Sequence, residues 1–442
     1  MSHRLVRLGT LLGATLWLLS LFAYVSTQRD VLGRWSQSYA MLLGAAVFVW
    51  VVLCLLLWRA RPEPEAWPPR PPGPMAIGAG AALLCLGAAY GLDALADPAN
   101  GGRLLVGDLF GSLTTVPALL EWAAVVCIAV AVLRIAFQAA GPRWHKPLLV
   151  VAVLAGVGLM GEGACRIWAL TAPRTEATEG FQTRVWTRRY VRLNADGFRD
   201  APHSDSTVAP RRLLVVGDAT AFGYGIRDPS DRFGERLAAA LSQRTATGWG
   251  SYNASRLGLA TPTEIDLLKR MLPIHPTVVV LLYSFNDIDY LRAAPARRPV
   301  GTVARLLARN SYLVTELNAL WSQVGTAAQP EHPYGDSTLV AHHLADLKRF
   351  VTLARSGGAI VGIVPVTHQA RAADELARTY DGFERAMSAA GLPVWRIEGA
   401  FVSYRFADLR VDAVDSHMNA TAHQLAANAV LPVILDSLAN RR

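Results

Sequence analysis

Apolar and polar positions divide the chain into two parts. Before residue 175, five apolar stretches approach or exceed the roughly 20 residues that a helix needs to cross a bilayer. They are Leu5–Val25, Tyr39–Trp58, Met75–Ala96, Leu113–Ala136 and Pro147–Leu170. Beyond residue 175, short apolar runs alternate with polar segments. The pattern predicts an α-helical transmembrane region of five spans over residues 1–172, a linker and lead-in segment over 173–210, and a soluble domain over 211–442.

Strand and helix patterns alternate along the soluble part, which favours an α/β domain with a parallel, doubly wound sheet and helices on both faces. Strands are predicted at Leu213–Val216, Ser251–Asn253, Thr277–Tyr283, Ala359–Pro365 and Pro393–Arg396. Helices are predicted near Asp231–Gln243, Pro262–Leu272, Leu339–Arg355, Ala370–Ala390 and Thr421–Ala439. Within the linker, a short strand and an Asn/Asp/Gly turn are expected around Val191–Gly197.

Composition narrows the possible partners. The formal net charge is +9, but the basic residues are scattered over loops and membrane flanks, and none forms a basic helix or a stripe with interleaved aromatics. Nucleic acid is therefore not an expected partner. The four cysteines, Cys54, Cys85, Cys127 and Cys165, all lie in apolar stretches, so the soluble domain has no cysteine for a disulfide or a metal site.

Basic residues near the ends of the spans predict the orientation. An N-terminus in the cytoplasm leaves Arg29, Arg34 and Arg103 in the short loops of the opposite side. It places a larger set in the cytoplasm, namely Arg4, Arg7, Arg59, Arg61, Arg70, Arg143 and Lys146. With five spans, the protein is expected in the cytoplasmic (inner) membrane with its C-terminal domain outside the cytoplasm.

Candidate chemistry begins at the elbow that follows the first predicted strand of the soluble domain, Asp218-Ala219-Thr220. Loops at the carboxyl ends of parallel strands are where open α/β sheets bind ligands. The following Gly223-x-Gly225 lacks the third glycine of a dinucleotide-binding loop. No metal cluster or nucleotide fingerprint is present either, so no cofactor is expected.

Three further stretches carry residues suited to acyl transfer. Gly258 follows the second strand, where a backbone N–H without a neighbouring Cβ is able to face a cleft. Asn286 follows the third strand, and its amide is a donor for a developing oxyanion. His417 lies beside the carboxylates Asp412 and Asp415, as a general base lies beside its orienting group. Each stretch alone is also compatible with a turn or cap.

Together, these stretches resemble the SGNH/GDSL hydrolase family of esterases and acyltransferases. Arg212–Gly225 is similar to block I, whose usual Gly-Asp-Ser is Gly217-Asp218-Ala219 here. Asn253–Gly258 resembles block II, and Ser284–Asp287 resembles block III, with serine in the place of the usual glycine. Asp412–His417 resembles block V, although the usual spacing puts the aspartate at Val414. Tyr190–Asp200 adds a resemblance to the Asn-x-x-Gly-Phe-Arg-Asp lead-in of membrane-linked members.

The resemblance implies a role for each matched position. His417 is the expected base, Asp415 its orienting group and Asp412 the reserve. Gly258 and Asn286 are the expected oxyanion donors, and the backbone N–H of Ala219 adds to them. His423 is expected to have a structural role on the last helix. Ser230, Ser255 and Ser284 do not occupy the family's nucleophile position.

Ala219 stands where the family has its nucleophilic serine, so a serine mechanism is not able to run through this residue. Three explanations stay open: a natural pseudoenzyme that keeps the cleft for binding, a deliberate removal of the nucleophile, or a takeover by Thr220. The third is the least favoured because neighbouring side chains on an elbow point in different directions.

The function implied is ester hydrolysis or O-acyl transfer on acyl groups, above all acetyl, of cell-surface glycans or lipids. Expected partners are the membrane, an acylated glycan or lipid, and a membrane-bound acyl donor. The rivals are a non-catalytic glycan- or acyl-binding pseudoenzyme and a membrane-assembly partner whose function lies in the spans.

Charged residues in the spans allow two interpretations. Glu162 and Arg166 are four residues apart near the outer end of the fifth span, and an ion pair there is favoured over a substrate path. Glu121 in the fourth span is ambiguous in the same way. Val300–Gly325 is an additional segment, predicted helical, that covers the cleft or contacts the membrane.

Overall fold

The computed structural model of the chain describes residues 73–96, 112–175, 180–201, 209–291, 310–324, 333–366, 374–413 and 415–441, with single positions between 11 and 54 and at 307. The described residues form two compact units. The first takes in those of Met1–Arg174, Thr178–Val185 and Pro299–Trp321. The second takes in those of Thr175–Ala177, Trp186–Arg298 and Ser322–Arg442. The described residues between 307 and 321, predicted within the soluble domain, thus group with the apolar helices.

The first unit is built on three long apolar helices, α1 (Pro74–Ala96), α2 (Thr115–Ala139) and α3 (His145–Thr171), with a 3₁₀ turn at Pro142–Trp144 before α3. All three are long and apolar enough to cross a membrane. They correspond to the third, fourth and fifth predicted spans. The first two predicted spans, Leu5–Val25 and Tyr39–Trp58, lie largely outside the described residues.

Small residues bring these helices close together. A Cβ on Gly78 of α1 would lie 2.4 Å from Cβ of Ala131 on α2. A Cβ on Gly163 of α3 would lie 2.9 Å from the ring of Trp122, whose indole N–H donates to the carbonyl of Leu159 at 2.9 Å. Small residues at a helix interface let two helix backbones approach closely, a kind of packing that is typical of helices in membranes.

A helix that lies partly in the first unit follows α3 in sequence. Helix α4 (Phe181–Tyr190) lies in the region predicted as a polar linker, and its Phe181 and Val185 are buried. The strand expected around Val191 is absent from the described residues there, since Val191–Leu193 has no partner strand. The turn is present, with Gly197 at φ +77°.

The second unit holds a four-stranded parallel sheet of β1 (Arg211–Gly217), β2 (Trp249–Ser255), β3 (Val278–Tyr283) and β4 (Ile360–Pro365) in the order β2-β1-β3-β4. Val215 pairs with Asn253 on one side and with Val280 on the other. The sheet agrees with the prediction except at Pro393–Arg396. There a single parallel bridge joins Val394 to Ile363, and the ring of Trp395 packs over Gly362.

Helices cover both faces of this sheet. In chain order they are α5 (Ala219–Phe222), α6 (Phe233–Thr245), α7 (Thr261–Met271), α9 (Ser337–Ser356), α10 (Asp374–Ala389), α11 (Phe406–Leu409) and α12 (Ala420–Ala439). The helix α8 (Tyr312–Val324), which lies between α7 and α9 in sequence, begins in the first unit. Short 3₁₀ turns lie at Pro229–Asp231, Leu272–Ile274, Asp289–Leu291, Pro333–Gly335 and Glu398–Phe401.

The strand β1 shows why the core has two halves. Leu214 and Val216 pack with residues of α7, α9 and α10, whereas Leu213 and Val215 pack with residues of α6 and α12. All four side chains are at most 1 % exposed. A strand buried on both faces reads as a continuous apolar run, as this one does. Its carboxyl end delivers the elbow to the edge where the candidate site lies.

Candidate active site

The elbow after β1 is a strand-to-helix turn made by small residues. Gly217 passes close to β3, because a Cβ there would lie 2.7 Å from the carbonyl oxygen of Leu282. Asp218 caps α5, and its Oδ1 accepts the backbone N–H of Thr220 at 3.0 Å. The same oxygen accepts the hydroxyl of Ser284 at 2.7 Å. Asp218 therefore ties the elbow to the loop that follows β3.

The predicted base and its predicted orienting group lie together. Nδ1 of His417 is 2.6 Å from Oδ1 of Asp415, and the same carboxylate oxygen accepts the backbone N–H of His417 at 2.9 Å. Burial acts to lower the pKa of His417, but the hydrogen bond and charge of Asp415, with the charge of Asp218, outweigh it and raise the pKa. Burial acts to raise the pKa of Asp415, yet the interactions with His417 and Thr175 hold it below its usual value.

Asp415 is itself held from two sides. The hydroxyl of Thr175 donates to Oδ2 of Asp415, and the carboxylate of Asp412 accepts the backbone N–H of Asp415 at 3.0 Å. The reserve candidate Asp412 thus shapes the loop, while Asp415 contacts the imidazole. On the other side of His417, the ring of Tyr224 packs edge-on at 4.9 Å.

Most of the predicted site residues surround one cavity of about 260 Å³. Its lining consists of Asp218, Ala219, Thr220, Gly258, Ser284, Phe285, Asn286, Val366 and His417. Gly258 takes a left-handed conformation with φ +68°, which favours glycine. Asn286 is exposed at the mouth, whereas Thr220 is 5 % exposed with its hydroxyl 3.5 Å from that of Ser284.

Two buried carboxyl groups lie near the elbow. Burial raises the pKa of Glu264 well above its usual range, and the charge of Asp218 adds to the effect. The pKa of Asp287 is raised in the same way by burial and by the charges of Glu264 and Asp218. Oδ2 of Asp287 accepts the backbone N–H of Ser284 at 3.2 Å, which fixes the loop that carries Asn286.

The other predicted side chains lie outside the cavity. Ser255 donates to the side chain of Asn253, and the backbone N–H of Ser230 donates to Asp228 at 2.9 Å. His423 is 1 % exposed on α12, and its Nδ1 accepts the backbone N–H of Phe233 at 3.1 Å. Val414, the family's usual aspartate position, lies outside the described residues.

Several residues that support the site have no local sequence signal. Thr175 contacts Asp415 across 240 positions of sequence, and the hydroxyl of Tyr334 donates to the carbonyl of Phe285 at 2.9 Å. Tyr224 is the middle residue of Gly223-x-Gly225, a pattern that does not predict its contact with His417. Ser284 stands where block III of the SGNH pattern usually has glycine, and its hydrogen bond to Asp218 gives this serine a structural role.

The lead-in Asn194–Asp200 fastens the elbow to the rest of the second unit. Asp200 accepts the backbone N–H of Asn253 on β2 at 2.7 Å. The guanidinium of Arg199 is buried and donates to backbone carbonyls of the elbow and its flanks, namely Gly223 at 2.7 Å, Ile226 at 2.6 Å, Phe222 at 3.3 Å, and Tyr190 and Arg227 at 3.2 Å. Burial, followed by the charge of Arg232, lowers the pKa of Arg199 to about 10.

Replacing Arg199 with leucine is expected to destabilise the second unit by about 3 kcal/mol, because several buried carbonyls lose their donor. Urea-dependent pulse proteolysis of the full chain measures this loss. The matched control is Arg256→Leu, which removes an exposed guanidinium and is expected to cost within about 0.5 kcal/mol. Equal losses in the two variants would contradict the role given to Arg199.

The pair of His417 and Asp415 predicts a pH dependence of stability. A raised histidine pKa contributes stability that is complete below the usual value of 6.5 and is lost as the pH rises through the raised value. A lowered aspartate pKa contributes stability that is complete above 3.8 and is lost as the pH falls through the lowered value. Their joint contribution is therefore largest between these two usual values.

Asp415→Asn is accordingly expected to lower the stability of the second unit by about 1 to 2 kcal/mol near pH 5.5, with a smaller loss near pH 9. Thermal unfolding of the full chain at both pH values measures the difference. In a His417→Gln background, the pH dependence of the Asp415→Asn effect should disappear. A loss that is constant with pH in both backgrounds would contradict the pairing.

Comparisons with known proteins give matches among solved structures alone. No protein-family model matches the chain, and no curated protein matches it. The structure of TesA is 17 % identical with a TM-score of 0.34, and the match covers 51 % of this chain and 98 % of that one. The psychrotrophic esterase EstA from Pseudoalteromonas sp. is 14 % identical with a TM-score of 0.32 over 52 % and 98 %. AlinE4, an SGNH-hydrolase family esterase, is 14 % identical with a TM-score of 0.30 over 54 % and 99 %.

Proposed function

We propose that the chain is a membrane-anchored, SGNH-type ester-binding protein whose cleft keeps the base and oxyanion elements of an esterase and lacks its nucleophile. One observation supports the proposal most: His417 lines the same cavity as Ala219, Gly258 and Asn286. The imidazole is also hydrogen-bonded to Asp415, with 2.6 Å between Nδ1 and Oδ1. Four separate stretches of sequence that resemble SGNH blocks therefore meet at the carboxyl ends of parallel strands.

Each group has a role toward a bound ester. The Nδ1 of His417 is engaged by Asp415, which leaves Nε2 as the nitrogen for a ligand. The amide of Asn286 and the backbone N–H groups of Gly258 and Ala219 are the donors for the ester carbonyl oxygen. Without a hydroxyl at Ala219 the cleft binds the ester and does not form an acyl-enzyme.

The size and polarity of the cavity support a short acyl group. Its volume of about 260 Å³ is below the roughly 300–1,000 Å³ of pockets that enclose drug-sized ligands. The lining is mostly polar, and Phe285 and Val366 supply apolar contact for a methyl group. An acetyl ester fits this description better than a long-chain ester. Acetylated cell-surface glycans or lipids are the proposed ligands, and a membrane-bound acyl donor is a proposed partner.

The proposal includes five membrane spans with the N-terminus in the cytoplasm and the C-terminal domain outside it. It is supported by the three apolar helices and by the distribution of basic residues along the sequence. A membrane-assembly role is the second candidate. It is favoured by the buried charges Glu121 and Arg166 in α2 and α3, which are unusual in spans.

Saturation-transfer NMR on the full chain in detergent tests the ester-binding function. The probes are glucose pentaacetate and unmodified glucose. Saturation is expected at the acetyl methyl groups and not on glucose. The matched control is Ala219→Phe, which fills the cleft and leaves the detergent contribution unchanged. Equal saturation of the pentaacetate by both proteins would place the ligand outside the cleft and overturn the proposal.

A further inference from the structure

The helix α8, in the additional segment Val300–Gly325, is hydrogen-bonded to an apolar helix of the first unit, α3. The N-terminus of α8 rests on the carboxylate of Glu162 in α3. The backbone N–H groups of Tyr312 and Leu313 donate to it at 3.1 and 2.9 Å, and the hydroxyl of Ser311 donates at 2.7 Å. A carboxylate in this place satisfies N–H groups that a helix leaves without an internal partner.

Side-chain contacts hold the same helix along its inner face. The ring of Tyr312 stacks on that of Phe181 at 4.0 Å and 2°, and the guanidinium of Arg166 lies 4.8 Å from its centre. The Leu313 side chain approaches Gly161 so closely that a Cβ there would lie 3.2 Å away. One turn later, Glu316 pairs with Arg174 at 2.9 Å.

The outer face of this helix carries two leucines that no described residue covers, beside the exposed Asn318. Leu317 and Leu320 are 55 % and 50 % exposed, whereas Thr315 and Glu316 on the inner face are below 10 %. The helix is docked on an apolar part of α3, where Met160, beside Gly161 in sequence, is 74 % exposed. Glu162 lies nine residues before the end of α3, which corresponds to about 13 Å along the helix.

We propose that the Tyr312–Trp321 part of α8 lies in the membrane interface, with Leu317 and Leu320 among lipid acyl chains. The inference rests on the membrane anchoring stated above. Lipid is favoured over water because the helix begins at a level of α3 that has apolar residues on either side of Glu162 and Arg166. An amphipathic helix with its polar contacts turned inward to a span and its leucines outward is the arrangement an interfacial helix requires.

Electron paramagnetic resonance of the full chain in lipid nanodiscs tests the inference. The native cysteines Cys54, Cys85, Cys127 and Cys165 are first replaced by alanine. Spin labels are then attached in separate variants at Leu317→Cys, Leu320→Cys, Met160→Cys and Leu257→Cys. Met160 is the control for lipid, and Leu257, which is 46 % exposed in the second unit, is the control for water. Collision with oxygen reports lipid, and collision with a water-soluble nickel chelate reports water.

Labels at Leu317 and Leu320 are expected to match the label at Met160, with oxygen collisions exceeding nickel collisions. Agreement with the label at Leu257 would overturn the inference. So would low collision rates with both reagents together with dipolar broadening between labels, which would mean that a second copy covers the face. If the label at Met160 also collides mainly with the nickel chelate, as the label at Leu257 does, the result would contradict the proposed membrane anchoring itself and this inference with it.

Discussion

Replacing Ala219 with serine is expected to give the chain esterase activity, with aryl acetate turnover at least roughly a thousandfold above that of the chain as it stands. The reason is that catalytic groups of this kind act as a unit, so that loss of the nucleophile alone removes most of the rate. The other proposed members lie together: His417 is hydrogen-bonded to Asp415, and Gly258 and Asn286 line the cavity beside Ala219. A hydroxyl at that position completes the set.

The measurement is release of nitrophenol from nitrophenyl acetate by the full chain in detergent. Two matched variants accompany it. Ala219→Gly changes the size of the side chain without adding a hydroxyl and is expected to stay inactive. Ala219→Ser combined with His417→Ala is expected to return to the rate of the unmodified chain, because the serine proton then has no acceptor.

Ser284 provides a further comparison. Its hydroxyl bonds to Asp218 at 2.7 Å in a position where SGNH proteins usually have glycine, and it lines the cavity. If Ala219→Ser alone is slow, adding Ser284→Gly should raise the rate, because it removes a side chain from the lining of the cavity. Turnover by the unmodified chain that is abolished by Thr220→Val would instead make Thr220 the nucleophile. Failure of every serine variant to turn over, with pentaacetate binding intact, would leave the cleft as a binding site.

The sheet was predictable because its signal is local. Four predicted strands, among them the apolar run Leu213–Val216, form strands within two residues of their predicted ends. The motif order also indicated which loops share one edge of the sheet, since carboxyl ends of parallel strands meet there. Pro393–Arg396 was the exception, because its local pattern gave no sign that it pairs with β4 through the single bridge of Val394 to Ile363.

The supporting contacts were not predictable from local pattern. Thr175 stands in a polar stretch after the last span, and its bond to Asp415 depends on how distant segments fold together. Likewise, residues 310–321 follow β3 in sequence but group with the apolar helices, where Glu162 accepts the N-terminal amides of α8. The pair of Glu162 and Arg166 was predictable from its spacing of four, whereas the third charge, Glu121, lies 45 positions from Arg166.

Replacing Arg166 with methionine is expected to destabilise the first unit by about 3–5 kcal/mol, the largest loss anticipated for a single change in this chain. The guanidinium is 1 % exposed. It donates to Glu162 at 2.7 Å, to Glu121 at 3.3 Å and to the carbonyl of Ala118 at 2.8 Å. Methionine fills similar space but removes the guanidinium that pairs with the fully buried carboxylate of Glu121.

A thiol-reactive fluorophore measures this loss selectively, because all four cysteines of the chain precede residue 175. Labelling during heating should therefore report the apolar helices, and its midpoint should fall in Arg166→Met. Arg134→Met removes an exposed arginine from α2 and should leave the midpoint nearly unchanged. Arg166→Met with Glu121→Gln should recover part of the loss, since replacing both partners of a buried pair costs less than breaking it.

This comparison separates the two interpretations of the charges in the spans. A large loss that Glu121→Gln relieves means that Arg166 holds α2, α3 and the start of α8 together. A midpoint unchanged by Arg166→Met would mean that the charges contribute little to stability. Charges inside a membrane are costly, so charges that do not stabilise the fold are expected to have a functional role. In that case the membrane-assembly role, or a path for an acyl donor, would become the better account of the first unit.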